Sequence, residues 1–319
     1  MSDAPQGTAP RVSVVVPLLD EEATVDELVD RTAAVLAERG APFELVIVDD
    51  GSGDGTLARL REREAELPQL RVFSLTRNFG QAAALACGLF AARGDVVVSM
   101  DGDLQNPPEE IPRLLDAIDK GAGVATARRA ARYEPFWRWL GSRAVHALAR
   151  LLTGARIEDV GGQFKAYRRE VIEAARELWA PGKPFFPLTL WLGYPVTEVS
   201  VRHEPRREGR SRYGFLGLVR VNLDLITSFT TVPLLALGAL GAAGLVLGGA
   251  GVLACLWLAP EGWLAPAFAL TTFALGGVFA AAGVLGLYLA RIYKRVSGGD
   301  PGFVVRQGPL RDGPTEGAR

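Results

Sequence analysis

The sequence predicts an α/β protein: a doubly wound, mostly parallel sheet, followed by an interfacial helix and a two-helix transmembrane hairpin. Three observations predict it. Short β-branched runs alternate with stretches of helical spacing from Val12 to Lys120. Each run ends abruptly in an acidic or polar loop, which places those loops along one edge of the sheet. Near the C-terminus, residues 232–258 and 264–290 carry no charge at all.

The elements follow in order. The first ten residues hold Pro, Gly and Ser without an apolar core, so they read as a flexible N-terminus and not as a cleavable signal. Val12 to Leu18 is a near-continuous apolar run, the pattern of a strand covered on both faces. From Glu21 to Arg39 the spacing of Val25, Leu28, Val29 and Leu36 is helical, and Gly40 ends it. Phe43 to Val48 is a second buried strand, followed by Asp49-Asp50-Gly51-Ser52-Gly53-Asp54-Gly55-Thr56. Asp-Gly pairs ordinarily mark hairpins, but the helical pattern of Leu57 to Leu67 favours a crossover. A strand at Leu70 to Leu75, a loop at Arg77 to Gln81 and a helix from Ala82 to Ala92 repeat the unit. Val96 to Met100 is the fourth strand; a helix then runs to Lys120, and Gly123 to Ala127 forms a short strand ending at Arg128-Arg129.

The stretch that follows the fourth strand, Asp101-Gly102-Asp103-Leu104-Gln105-Asn106-Pro107-Pro108, carries the chemistry. Asp101, Asp103 and Gln105 alternate along an extended chain, so their oxygens can share one side and hold a hard divalent cation, Mg2+ or Mn2+. Such a cation neutralises a diphosphate. An isolated Asp-x-Asp is usually a solvated turn. What raises this one above that reading is its company on the same edge: the loops at 18–22 and 49–56, where Asp50 and the backbone of Pro17 can line a nucleotide pocket. Neither a Gly-x-Gly-x-x-Gly nor a Walker sequence follows the first strand, so neither a dinucleotide nor ATP hydrolysis is indicated.

Composition excludes other classes. The net charge of −1 gives no general attraction to nucleic acid, and two histidines and two cysteines are too few for a zinc site or a disulfide framework. Basic residues cluster locally, at Arg128 to Arg150 and at Arg202 to Arg212, which points to an anionic ligand or a membrane surface. Residues 135–153 interleave tryptophans and leucines with arginines, a pattern that fits either an interfacial helix or an ordinary amphipathic one. Residues 215–230 run into the first charge-free stretch and read as interfacial. Each charge-free stretch would extend roughly 40 Å as a helix, enough to cross about 30 Å of hydrocarbon. Only Ala259 to Trp263 separates the two, and Arg291, Lys294 and Arg295 follow the second, which places the bulk of the chain in the cytoplasm. The expected division is therefore a catalytic domain at 11–214, an interfacial helix at 215–230, two spans within 231–292, and a mobile cytoplasmic tail at 293–319.

As a set, Val14-Val15-Val16-Pro17, Asp49-Asp50-Gly51-Ser52, Asn78-Phe79-Gly80-Gln81 and Asp101 to Glu110 resemble the catalytic domain of inverting family 2 glycosyltransferases of the GT-A fold. Asp159, Phe164 to Arg169 and Arg206 to Tyr213, followed by the hairpin, are similar to its polyprenyl-phosphate branch, which includes undecaprenyl-phosphate and dolichyl-phosphate sugar transferases. The resemblance covers about residues 11–305. Leu19, Asp20, Lys165, Arg210 and Arg212 depart from the residues usual there.

The resemblance implies transfer of a sugar from a nucleotide sugar, a UDP-sugar in the nearer relatives, to undecaprenyl phosphate. Pro17, Glu21, Asp50, Asn78, Asp101, Arg206 and Arg212 would contact the donor. Asp103 and Gln105, with Asp101, would hold Mg2+ or Mn2+. Arg128, Arg138 and Ser142 would hold the lipid phosphate, and Asp101, Asp159 and Arg206 would be catalytic. It also implies the bacterial inner membrane, a lipid environment and a homo-oligomer, a tetramer by analogy. Two other readings stay open at the level of sequence. One is a processive polysaccharide synthase, although no Gln-x-x-Arg-Trp motif is present; the other is a non-catalytic membrane subunit that binds a nucleotide sugar.

Overall fold

The computed structural model describes residues 10–129, 162–181, 184–204 and 303–309, together with scattered helical positions between 239 and 292. The chain divides into two compact units, one of residues 1–211 with 301–319 and one of residues 212–300.

In the first unit β1 (Val12–Leu18) is buried at every residue, as expected of a strand covered on both faces. It pairs in parallel with β2 (Phe43–Asp49) on one side and with β4 (Val96–Ser99) on the other, and β3 (Leu70–Leu75) extends the parallel set beyond β2. Helix α1 (Val25–Glu38) follows a short 3-10 turn at Glu22–Thr24, so the predicted helix begins with one tighter turn. It buries Val25, Leu28, Val29, Thr32 and Leu36, a stripe of helical period. Helices α2 (Thr56–Glu66), α3 (Gln81–Ala91) and α4 (Ile111–Asp119) complete the crossovers where the sequence predicts them. Gly88 of α3 sits directly on Val15 and Val48; a Cβ there would collide with Val15, so this glycine sets how closely α3 approaches the sheet.

Beyond β4 one antiparallel strand interrupts the parallel set. Strand β5 (Val124–Arg129) is joined to β4 only through β6 (Lys165–Arg168), which runs antiparallel to both, and β7 (Val196–Val201) pairs in parallel with β5. Helices α5 (Arg169–Leu178) and α6 (Phe185–Trp191) lie between β6 and β7 in sequence. The described sheet has eight strands in the order β7-β5-β6-β4-β1-β2-β3-β8. It is a mixed sheet: β1 to β5 and β7 run the same way, as the mostly parallel expectation has it, and β6 and β8 run against them. The sequence reading misses β6, which lies between β4 and β5, because its short run, Lys-Ala-Tyr-Arg, has no apolar alternation to announce a strand.

Strand β8 (Val305–Gln307) is a second correction, since the tail is expected to be mobile. It pairs antiparallel with the edge strand β3, and the Thr76 N–H donates to the Val304 carbonyl at 2.9 Å. Backbone pairing at an open sheet edge requires no strong side-chain pattern, so composition alone misses it.

In the second unit the described positions are helical. Several carry large exposed apolar side chains, among them Val246, Leu253, Trp257 and Val278. Among the described residues no helix is long and apolar enough to cross a membrane. The expected spans and the segments 135–153 and 215–230 fall wholly or largely outside the described residues.

Candidate active site

Four loops leave the C-terminal ends of β1, β2, β3 and β4, and side chains stitch them together. The first and second loops interlock. Asp20, at φ +54, donates its N–H to Ser52 Oγ at 3.0 Å while its Oδ1 accepts from the Gly53 N–H at 2.8 Å. The Glu21 N–H donates to Thr56 Oγ1 at 2.9 Å, and the Gly55 N–H to Glu22 Oε2 at 3.1 Å.

The second and third loops meet at Asp50, which is buried. Its Oδ1 accepts from the Phe79 N–H at 2.8 Å and its Oδ2 from the Gly80 N–H at 2.9 Å. Burial pushes the carboxyl above the ordinary aspartate range, and these two bonds work in the opposite direction. A carboxylate has about four lone-pair sites, so two remain for a ligand. Asp49, its neighbour in sequence, is spent on structure: it accepts from the Ser52 N–H at 3.2 Å and from Ser74 Oγ at 3.3 Å. Gly51, at φ +75, lets this turn lie against the third loop, because a Cβ there would come within 2.6 Å of the Arg77 carbonyl carbon.

The third and fourth loops meet where Gln81 Nε2 donates to Asp101 Oδ1 at 2.6 Å. Gln81 is the first residue of α3 and has no separate role in the sequence reading; its place directly after Asn-Phe-Gly is the available signal.

Along the fourth loop Asp101, Asp103 and Gln105 are partly exposed while Gly102, Leu104 and Asn106 are buried, the alternation that sequence predicts. The chain reaches it by a different route. Leu104 takes φ +56, and the Gln105 N–H donates to Asp103 Oδ1 at 3.2 Å, so the loop is turned instead of extended. A left-handed leucine costs roughly 1–2 kcal/mol. Its buried side chain, part of the main core, holds it there. Two carboxylates and a carboxamide are the donor types that Mg2+ and Mn2+ accept. Among the described residues no three of His, Cys, Asp and Glu form a metal cluster.

The remaining candidates divide. Pro17 is buried at the end of β1, Glu21 is half-buried beside Thr56, and Asn78 is exposed in the third loop. Arg128 lies on β5, separated from β4 by β6, with its guanidinium donating to Ser200 Oγ at 3.3 Å. Asp159, Arg138, Ser142, Arg206 and Arg212 lie outside the described residues. Lys165 is fully buried, and its ammonium sits 4.2 Å from the Phe186 ring centroid.

Residues 13–176 match the family model described as glycosyl transferase family 2. The chain belongs to that family. This glycosyltransferase is 38% identical over 296 residues to an undecaprenyl-phosphate 4-deoxy-4-formamido-L-arabinose transferase of Edwardsiella ictaluri, which spans 89% of this chain and 90% of that one. It is 39% identical over 312 residues to the protein of the same name in Pseudomonas aeruginosa, covering 92% and 89%. Among solved structures it is similar to glucosyl-3-phosphoglycerate synthase of Mycobacterium tuberculosis in complex with Mn2+, UDP and glucosyl-3-phosphoglycerate. The TM-score is 0.51 at 21% identity, over 70% of this chain and 84% of that one. The likeness shows a GT-A-like mixed α/β fold for this family 2 chain.

Proposed function

We propose that this glycosyltransferase moves a sugar, with inversion, from a nucleoside diphosphate sugar, UDP-linked by likeness to its relatives, to undecaprenyl phosphate. The product is a polyprenyl-phosphate monosaccharide. The observation that carries the reading is the fourth loop. It leaves Asp101, Asp103 and Gln105 partly exposed at the C-terminal end of β4, joined through Gln81 to the third loop, against which Asp50 of the second is buried.

The roles follow from chemistry. Asp50, Pro17, Glu21 and Asn78 lie on the loops that would receive the nucleotide, and Arg206 and Arg212 would close on its diphosphate. Asp103 and Gln105, with Asp101, would hold Mg2+ or Mn2+; a divalent cation supplies there the positive charge that stabilises a departing diphosphate. Arg128, Arg138 and Ser142 would receive the acceptor's phosphate. A phosphate monoester has a second pKa of about 6, so the acceptor is already dianionic at neutral pH and needs no dedicated base. Asp159 would orient the acceptor arginines or the sugar.

The reading extends to the membrane. Spans at 232–258 and 264–290 would anchor the enzyme in the bacterial inner membrane with its catalytic unit in the cytoplasm, as several copies, a tetramer by likeness. The exposed apolar side chains at Val246, Leu253 and Trp257 support a lipid environment. Anchoring raises the effective concentration of enzyme and lipid acceptor together.

The test measures UDP release from a panel of UDP-sugars by the full-length enzyme, with and without Mn2+ and undecaprenyl phosphate. Release should need both, and Asp103→Ala should abolish it at an unchanged thermal midpoint. Turnover by Asp103→Ala at the wild-type rate would refute the metal role.

A further inference from the structure

We infer that Arg202 is a positioning residue: paired with Glu110, it fixes the end of β7 and the two residues after it against the loop that carries Asp103 and Gln105. The inference rests on the metal and donor reading above. The three residues that follow β7 each take hold of the fourth loop or its continuation. Arg202 Nε donates to Glu110 Oε1 at 2.7 Å, His203 Nδ1 lies 3.4 Å from Asn106 Oδ1, and the Glu204 N–H donates to the Gln105 carbonyl at 2.8 Å. Gln105 thus has its backbone oxygen committed to this segment while its carboxamide faces outward beside Asp103.

The chemistry of the pair favours placement over bulk stability. Glu110 is 1% exposed, whereas the Arg202 side chain is 74% exposed. Arg113 Nη1, 3.3 Å from Glu110 Oε2, gives the carboxylate a second cationic neighbour. Removing the exposed Arg202 side chain leaves no cavity, and Arg113 remains beside the buried Glu110 carboxylate. What the Arg202 fork contributes is direction, because it ties the end of β7 to the turn that continues the fourth loop.

The test titrates UDP into the full-length enzyme in detergent, with and without Mn2+, for wild type, Arg202→Ala and Arg202→Lys. In Arg202→Ala the Mn2+-dependent gain in UDP affinity should shrink about tenfold, the low end for residues that orient metal ligands from outside. Its metal-free UDP affinity should stay at the wild-type value, and Arg202→Lys should recover part of the gain. A metal-responsive wild type beside an Arg202→Ala variant with the full gain overturns this inference alone. So does an equal loss of UDP affinity with and without metal, which would mark general damage. A wild type whose UDP affinity ignores Mn2+ overturns the metal reading and this inference together.

Discussion

Gln81 Nε2 donates to Asp101 Oδ1 at 2.6 Å, which joins the first residue of α3 to the first carboxylate of the fourth loop. The bond sets the direction of one Asp101 oxygen. Gln81→Glu would face two carboxylates across this contact, and like charges at such range disfavour ionisation of one of them. Hydrogen bonds to charged groups contribute about 1.5–3 kcal/mol, so kcat for UDP release should fall about tenfold or more in Gln81→Glu. Steady-state kinetics at neutral pH checks this, and an unchanged kcat would remove Gln81 from the site.

Asp50 supports the third loop through both of its oxygens. Asn in its place keeps one acceptor and turns an N–H2 group toward a backbone N–H, leaving a buried donor without a partner. That costs roughly 1–3 kcal/mol. Asp50→Asn should therefore lower the thermal midpoint and weaken UDP binding, measured by calorimetry, even in the absence of metal.

Gly51 and Gly40 separate strain from collision. Both have positive φ, +75 and +69, but a Cβ at Gly51 meets the Arg77 and Asn78 backbone while one at Gly40 meets nothing within 4 Å. Gly40→Ala should cost only the left-handed strain, roughly 1–2 kcal/mol. Gly51→Ala should cost more, and should also weaken UDP binding by pushing the third loop away from Asp50. Thermal midpoints and UDP titrations of the two variants make the comparison.

Arg31 and Glu109 give a pH dependence of known sign. Arg31 Nη2 lies 2.8 Å from Glu109 Oε2, and this bond holds the Glu109 carboxyl below the ordinary glutamate range. A carboxyl depressed in the folded state contributes stability that is complete above its unfolded pKa and is lost as pH falls through the folded one. Thermal midpoints recorded downward from pH 6 should fall less steeply in Glu109→Gln than in wild type. Parallel curves would show that the pair contributes nothing.

The parallel half of the fold was legible because each of its strands is buried on both faces and so had to be written as a run of apolar residues. The loops after β1, β2 and β4 were legible for the complementary reason: acids and glycines at strand ends cannot belong to the core. The half beyond β4 was not. Strand β6 is four residues long and carries Lys165 and Arg168, while β7 is largely half-exposed, so neither shows a strong period. Within the site, the residue types and the alternation of Asp101, Asp103 and Gln105 could be read directly, but the left-handed Leu104 that produces the alternation could not. Backbone conformation at a non-glycine residue depends on what its side chain packs against.

By itself, the sequence determined which residues are buried, where strands give way to polar loops, and which oxygen donors stand together after β4. Periodicity and residue type are local properties, and the chain carries them without folding. Only the tertiary structure decided that Asp49 is structural and Asp50 faces the third loop, that Gln81 holds Asp101, that Glu110 holds Arg202, and that Val305–Gln307 completes the sheet edge. Each of those is a contact between segments far apart in sequence, and its partner is chosen by how helices and strands pack, which no local pattern records.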